Sequence, residues 1–401
     1  MIGANEFNAR PAYVATMLIF AVNGLAFASW AARIPTVTRV LELSSGEMGA
    51  VLLSLAAGSV IALPMAGNVV SRIGTANTVR VAAVIAAIGV LFVALALSLA
   101  SVPLTVVGLF LFGAGIGLWD VAQNVEGAAV EQKLKRTVMS QFHAAFSGGA
   151  FLGALAGAGL SALDVPLPPH LIVISILVLA VLFLATRNFL PEAEHRTERD
   201  GSAGKTTSRS AWGELRTLLV GLVVLGAALT EGAANDWIAK ATVDGLGAPE
   251  WAGALMFAVF IASMTMCRFL GGRLIDRWGR VPTLYASLLA ALAGLVIFVF
   301  GTNVWISGVG AVLWGAGAAL GFPTGMSAAA DDPLRAAKRV SVVSTIGYIA
   351  FLAGPPIIGF LGDHFTLRPA LLAIGAVMVL SILVVPAARP LQPVELQKAA
   401  G

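Results

Sequence analysis

The chain of 401 residues is strongly apolar: 58% of its residues are hydrophobic, 11% are charged, and the mean hydropathy is +0.90. A soluble domain usually carries about 25% charged residues, so this composition excludes an ordinary soluble domain. The formal net charge is +4, and the single cysteine, Cys267, excludes an internal disulfide and a cysteine-based metal cluster.

Apolar runs of about 20 residues, the length at which a helix crosses a hydrocarbon core, alternate with short charged patches. The polar segment 191–213 has linker composition and separates a predicted domain 1–190 from a predicted domain 214–401. The sequence therefore predicts an all-α membrane protein of two six-helix bundles. Its twelve spans, numbered in chain order, are expected at 12–33, 47–70, 79–100, 104–129, 138–161, 170–190, 215–240, 251–271, 281–301, 304–328, 340–362 and 369–388.

The basic residues are unevenly distributed over this map. Of the 25 lysines and arginines, only Arg33, Arg39, Lys240 and Arg368 fall on the side opposite the termini, and Arg268 lies just inside the end of a span. Loops on the cytoplasmic side of a membrane are enriched in lysine and arginine, so both termini and the linker are expected in the cytoplasm. The excess positive charge thus indicates the orientation of the chain in the membrane. Nucleic acid is not expected as a partner.

Span four carries a group of polar residues at a depth where ionisable groups are costly and usually functional. Asp120, Gln123 and Asn124 stand at i, i+3 and i+4 and share one helix face. His143 of span five is expected near the depth of Asn124, because the two spans are antiparallel neighbours joined by a short loop. A histidine near an aspartate can exchange a proton around neutral pH. Proton coupling or substrate contact is one interpretation, and a histidine held in helix packing is the other.

Span seven carries a second polar group. Glu231, near the middle of the span, shares a face with Asn235, and no basic residue stands near it in that span, which predicts a role in a cavity. Asp236 is closer to the outer end and is expected to pair with Lys240 at i+4. Asn23 of span one aligns with Glu231 and is a further candidate for substrate contact.

Paired segments indicate that the two halves are copies of one another. Residues 112–119 of span four, FGAGIGLW, resemble residues 314–321 of span ten, WGAGAALG. The turn GNVVSRIG at 67–74 resembles GRLIDRWGR at 272–280, which lies 205 residues later. An internal repeat of six spans is typical of secondary transporters, which hold their substrate near the membrane midplane between repeats.

The turn that runs from Gly272 to Arg280 resembles the signature loop of the major facilitator superfamily. The runs 120–124, 142–148 and 231–237 are similar to those of poorly characterised bacterial inner-membrane permeases loosely related to the fucose permease. The resemblance implies a multi-pass protein of the bacterial inner membrane that works by alternating access. It further implies a small-molecule substrate, the lipid bilayer as surroundings, and a monomer. No catalytic group, metal or cofactor is expected, because an ion gradient, here of protons, would supply the driving force.

The resemblance also implies a cytoplasmic gate in which Asp276 is held by charges and by a helix dipole. Arg277 and Arg280 supply positive charge within the same turn, and a helix N-terminus favours a carboxylate. In the first copy of the turn a serine replaces the acid and Arg72 is retained. The cytoplasmic gate formed by that copy should therefore be weaker. The expected gate residues are Gly272, Asp276, Arg277, Gly279, Arg280 and Arg72.

Prolines within the spans predict bends. Gly354, Pro355 and Pro356 follow one another in span eleven and should bend or loosen that helix, because proline lacks a backbone donor. Lesser bends are expected at Pro64 and Pro323.

Three functions remain open at this stage: proton-coupled uptake of a small polar solute such as a sugar, proton-driven efflux of drugs or amphipathic metabolites, and a non-transporting membrane sensor. Drug antiporters of the superfamily commonly carry a Gly-Pro element in span five, and residues 148–153 here contain no proline, which favours uptake. Symporters similar to the fucose permease tend to have acids in spans one and four. Span one offers Asn23 instead of an acid, so Asp120 and Glu231 are the preferred coupling residues.

Overall fold

The computed structural model describes residues 9–134, 138–191, 210–332 and 335–391. In this part of the chain, twelve helices are long and apolar enough to cross a membrane, and no β-strand is present. The predicted all-α membrane fold is confirmed. Most of the predicted linker lies outside the described residues. Contacts divide the chain into two compact units, Met1–Leu43 with Ala50–Ala203, and Ser44–Gly49 with Gly204–Gly401.

Spans one to six are each built from one helix, except that span one is interrupted. Their helices are Ala9–Ala31 and Ile34–Val40 for span one, then Ser45–Ile73, Thr75–Ser98, Val102–Leu134, Met139–Ala162 and Leu167–Ala185, the last followed by a 3-10 turn Thr186–Asn188.

Spans seven to twelve follow a 3-10 turn at Ala211–Gly213, and spans ten and twelve are divided. Their helices are Leu215–Leu246, Glu250–Trp278, Arg280–Phe300, Val304–Ala318 with Gly321–Ala329 for span ten, Ala336–Phe365, and Leu367–Ala370 with Leu372–Val384 for span twelve, which closes with a 3-10 turn Val385–Ala388.

Span ten is divided between Ala318 and Gly321, four residues before a proline. Pro323 has no N–H to donate to the carbonyl of Ala319, so the regular helical bonding stops there. Span eleven differs, since its helix runs without a break through Pro355 and Pro356. The consecutive prolines therefore do not divide their helix, and the bend expected at that point stays a prediction.

The same glycine contacts occur in both units. A Cβ atom on Gly113 of span four would lie 1.9 Å from the carbonyl oxygen of Leu55 in span two. On Gly315 of span ten it would lie 2.3 Å from the carbonyl oxygen of Phe260 in span eight. Leu55 and Phe260 are 205 residues apart, the spacing of the repeated turns. Only glycine permits helix backbones to approach so closely. The two units therefore share this helix packing as well as the sequence repeat.

The two copies of the signature turn also share one backbone conformation. Gly74 and Gly279 each have φ 81° and ψ 166°, a region that is essentially restricted to glycine. In each copy a threonine four residues later donates its hydroxyl to the glycine carbonyl, from Thr78 at 2.6 Å and from Thr283 at 2.7 Å. The two units are therefore pseudo-symmetric down to individual hydrogen bonds at this turn.

Candidate functional site

Asp120 is half-buried and lies well inside span four. Gln123 donates its Nε2 hydrogen to Asp120 Oδ1 at 3.1 Å, and Asn124 donates through Nδ2 to the same oxygen at 3.3 Å. Within the described residues, the other carboxylate oxygen accepts no hydrogen bond, and no lysine or arginine forms an ion pair with Asp120. The acid is thus held in place by neutral amides of its own helix.

His143 of span five is the titratable neighbour of this carboxylate. Its side chain is exposed, stands edge-on to Phe20 with ring centroids 5.4 Å apart, and lies close enough to Asp120 for an electrostatic interaction. The structure therefore brings the histidine together with the span-four polar residues, as the antiparallel packing of the two spans suggests. Its role in proton coupling stays a prediction.

Asn23 of span one is almost fully buried, with 1% of its surface exposed. Neither its Nδ2 nor its Oδ1 atom has a hydrogen-bond partner in the described part of the chain, and the same holds for Oε1 of Gln123. Buried amides nearly always form hydrogen bonds, because leaving one unpaired costs free energy. Both amides therefore keep unused bonding capacity inside the first unit.

Glu231 of span seven forms an ion pair that the sequence analysis missed. Arg268 of span eight donates through Nη2 to Glu231 Oε2 at 2.7 Å. The expectation that Glu231 has no base nearby considered only its own span and was therefore incomplete. Arg268 stands ten residues before the end of the helix Glu250–Trp278, about 15 Å along its axis, so it lies within the span.

The break in span ten positions Arg268. The Ala319 carbonyl, which receives no hydrogen bond from Pro323, accepts one from Arg268 Nε at 3.2 Å. One turn further along span eight, a Cβ atom on Gly271 would lie 2.3 Å from Leu320, so span eight packs against the break itself. In the sequence, the signals for this site are the glycine-rich segment 314–321 of span ten and Pro323, which follows it.

The ion pair leaves bonding capacity on both partners. Within the described residues, Arg268 Nη1 donates to no acceptor and Glu231 Oε1 accepts from no donor. The side chains are 28% and 18% exposed. A charged group at this depth is costly, so the ion pair lowers the cost of placing both side chains inside the span.

Asn235 and Asp236 follow on span seven, and both are half-buried. The expected pair of Asp236 with Lys240 is wrong: Lys240 donates to Asp244 Oδ2 at 2.6 Å. A long lysine side chain extends toward the polar end of its helix, where Asp244 is exposed, and away from Asp236 deeper in the span. Among the described residues, neither Asn235 nor Asp236 has a hydrogen-bond partner.

At the signature turn, Asp276 and Arg277 are exposed, as is Arg72 in the first copy. Arg280, expected beside Asp276, instead donates to both carboxylate oxygens of Asp331 at 2.9 Å. The positive φ of the preceding glycine starts a new helix at Arg280, which brings this side chain to the loop after span ten. Among the described residues, Asp276 therefore forms no ion pair with Arg277 or Arg280, and the gate role of this turn stays a prediction.

A second charge cluster lies at the same end of this unit. Glu214 accepts a hydrogen bond from Arg339 Nε at 2.6 Å and pairs with Arg335, and Arg339 also pairs with Asp332 at 3.4 Å. Burial alone would raise the pKa of the Glu214 carboxyl, but hydrogen bonds from Arg339 and Thr217 and the charges of both arginines hold that pKa below its ordinary value. In the sequence, the signal for this cluster is the pair of aspartates at 331–332 followed by the arginines at 335 and 339.

Comparison with known proteins agrees with this architecture. A family model described as Major Facilitator Superfamily matches residues 12–333 and 243–401. The uncharacterised transporter y4wD of Sinorhizobium fredii is 33% identical over 359 residues, which cover 89% of this chain and 92% of that protein. An uncharacterised MFS-type transporter of Yersinia pestis is 30% identical over 383 residues, which cover 94% of each chain.

Solved structures share the fold at low sequence identity. The nucleoside transporter NupG has a TM-score of 0.71 at 14% identity and covers 94% of this chain and 98% of its own. The E. coli fucose:proton symporter FucP has a TM-score of 0.63 at 17% identity, with coverage of 95% and 99%. The D-xylose-proton symporter has a TM-score of 0.67 at 15% identity, with coverage of 94% and 97%. The chain is a multi-pass membrane transporter that belongs to the Major Facilitator Superfamily.

Proposed function

We propose that this transporter takes up a small polar solute, such as a sugar or a related metabolite, together with protons by alternating access. The observation that carries the proposal is Asp120, a carboxylate inside a span that is bonded only to neutral amides and lies beside His143. The relatives that share the fold include a fucose:proton and a D-xylose-proton symporter, which supports the substrate class and the coupling ion.

The chemistry of Asp120 favours proton exchange. An ionised group within the membrane costs about 2.5–3.5 kcal/mol, and no arginine or lysine of the described residues offsets this cost at Asp120. Binding a proton removes the charge, whereas the amides of Gln123 and Asn124 stabilise the ionised form when water reaches the site. Both protonation states are therefore accessible, as a coupling residue requires, and His143 can relay the proton.

The polar solute would bind through the same surroundings. Asn23 and Gln123 keep unpaired donor and acceptor atoms, which suit the hydroxyl groups of a sugar. In the second unit, Glu231 and Asn235 are the candidate substrate contacts. The uneven distribution of basic residues supports termini in the cytoplasm of a bacterial cell with the protein in its inner membrane.

A binding screen comes before the transport test. The melting temperature of the purified full-length protein, measured at two pH values against sugars, organic acids and drugs, would identify a solute. A polar metabolite supports uptake, whereas an amphipathic cation favours efflux.

Transport is then measured in proteoliposomes with an imposed pH gradient. Asp120→Asn should abolish accumulation of the solute while solute exchange at equal pH continues. Asp164→Asn makes the same chemical change in an exposed loop after span five and should leave accumulation unchanged. Gradient-driven accumulation that persists in Asp120→Asn excludes Asp120 as the coupling residue. Expulsion of the solute by an inward proton gradient would favour efflux over uptake.

A further inference from the structure

In the ion pair of Glu231 and Arg268, the arginine binds a carboxylate that belongs to the protein itself. Such an arginine could bind the carboxylate of a solute in the same place. We propose that Arg268 binds the carboxylate of an anionic solute, of the sugar-acid or hydroxy-acid class, and that Glu231 gives up this position when it takes a proton. The inference rests on the proposed proton-coupled uptake and names the substrate class of its second-unit site.

The guanidinium of Arg268 keeps hydrogen-bond donors for a ligand. Arginine offers five N–H donors, and a bound carboxylate typically takes two of them in parallel. Here Glu231 takes one hydrogen bond from Nη2, at 2.7 Å, and the Nη1 hydrogens have no acceptor within the described ranges. The pair is therefore a single contact that an incoming carboxylate can replace with a double one.

Arg268 would keep its position when Glu231 leaves. Its Nε atom donates to the Ala319 carbonyl, a backbone group at the break in span ten. This bond does not depend on the protonation of any side chain. An arginine anchored in this way keeps its outer N–H groups in place whether Glu231 is charged or neutral, so the site is preorganised for an anion.

The balance of charge explains why a proton would accompany the solute. If Glu231 stays ionised, an added carboxylate faces a negative neighbour, and the site carries an excess negative charge inside the membrane. If Glu231 binds one proton as the carboxylate arrives, the net charge of the site is unchanged. One proton and one monoanion thus enter this site together.

Few other groups can titrate around this pair. Away from the span ends, the titratable groups on the elements packed against spans seven and eight are Asp236 of span seven, Cys267 of span eight, Tyr285 of span nine and Tyr348 of span eleven, while span ten carries none. Cysteine and tyrosine ordinarily titrate above neutral pH. Asp236 lies five residues after Glu231, on a different face of the helix. Among the described residues, Glu231 is the acid that pairs with Arg268, so its protonation decides whether Arg268 is available.

The test measures the binding of matched anionic and neutral probes to the full-length protein in detergent. D-gluconate, D-glucuronate and L-lactate are compared with their neutral amides by calorimetry and melting temperature, at about pH 5.5 and about pH 7.5. Wild-type protein should bind the preferred carboxylate up to about tenfold more tightly for each unit by which the pH is lowered. Its affinity for the matching amide should not change with pH. Glu231→Gln imitates the protonated acid and should bind the carboxylate tightly at both pH values.

Two further variants guard against a purely structural effect. Glu231→Gln with Arg268→Gln removes both charges, keeps the packing volume, and should lose carboxylate binding at least tenfold. Asp244→Asn removes the acid from another ion pair of span seven and should bind as wild type does. If no carboxylate binds to Glu231→Gln more tightly than its amide, the proposed anion site is wrong, whatever the neutral compounds do.

Failure of this inference and failure of the proposed function give different results. If a neutral sugar drives proton entry into proteoliposomes and no carboxylate is preferred, proton-coupled uptake stands and the anion site is wrong. If Glu231→Gln binds a carboxylate but no compound moves with protons in the wild type, the anion site stands and the coupling is wrong.

Discussion

Asp120 in the first unit and Glu231 in the second lie inside their spans, yet their surroundings differ. Asp120 is hydrogen-bonded by two amides of its own helix, whereas Glu231 forms an ion pair with Arg268 from the neighbouring span. By the 205-residue spacing of the repeat, Arg268 corresponds to Leu63. The first unit thus has an acid without a fixed counter-charge, and the second has an acid with one.

The break in span ten accounts for much of this difference. In the aligned segments of spans four and ten, Asp120 corresponds to Phe322, and Val121 corresponds to Pro323. Valine keeps span four continuous, so its carbonyl groups stay bonded within the helix. Proline frees the carbonyl of Ala319, which then anchors Arg268. One position of the repeat therefore separates a continuous helix that carries Asp120 from a divided helix that holds an arginine in place.

The contrast predicts that removing one charged side chain from each site has unequal effects on stability. Arg268→Met should lower the free energy of unfolding by about 3 kcal/mol, because it leaves the Glu231 carboxylate without a counter-charge inside a span. Asp120→Asn should change stability by only about 0.5 kcal/mol, because no ion pair is broken. Melting temperatures of the purified variants measure both.

The double change Arg268→Met with Glu231→Gln serves as the control for this prediction. It should recover most of the stability that Arg268→Met alone removes, because the unpaired charge is gone. Equal destabilisation by Arg268→Met and Asp120→Asn would show that the two acids do not differ in the way their contacts indicate.

The shared packing of the units predicts equal effects at paired glycines. Gly113→Ala and Gly315→Ala should each destabilise the protein by about 2 kcal/mol, because a methyl group would overlap a backbone carbonyl of the adjacent helix. Gly308→Ala, also in span ten, has no atom within 4 Å of the new methyl group and should be neutral or stabilising. If only one of the paired glycines showed a large effect, the two units would share the course of the backbone but not the tightness of helix packing.

The charge cluster after span ten predicts a smaller, pH-dependent difference. The folded pKa of Glu214 lies below its ordinary value, so its ion pairs stabilise the fold above that ordinary value, and the stabilisation is lost as the pH falls through the folded pKa. Glu214→Gln should therefore cost about 1 kcal/mol near neutral pH and nothing in strong acid. Thermal melting over a pH series checks this, and a gap that widens with acidification would contradict it.

Several features of the fold were predictable because they depend on neighbouring residues. The twelve spans follow from apolar runs, and the turn conformation follows from glycine at positions 74 and 279. The cluster of Asp120, Gln123 and Asn124 follows from helical spacing within one span. Partners on other elements were harder: Lys240 had two acids within reach at i−4 and i+4, and sequence spacing treats both alike.

Composition and spacing along the chain are enough to specify the membrane fold, the duplication and the positions of the acids within the spans. A helix in lipid satisfies its backbone hydrogen bonds internally, so each span is specified by its own composition. The pairing of Glu231 with Arg268, 37 residues later, and of Arg280 with Asp331 depends instead on how the helices pack. Such pairs form only when separate helices pack, and their packing depends on distant contacts such as those of Gly315 and on the break before Pro323.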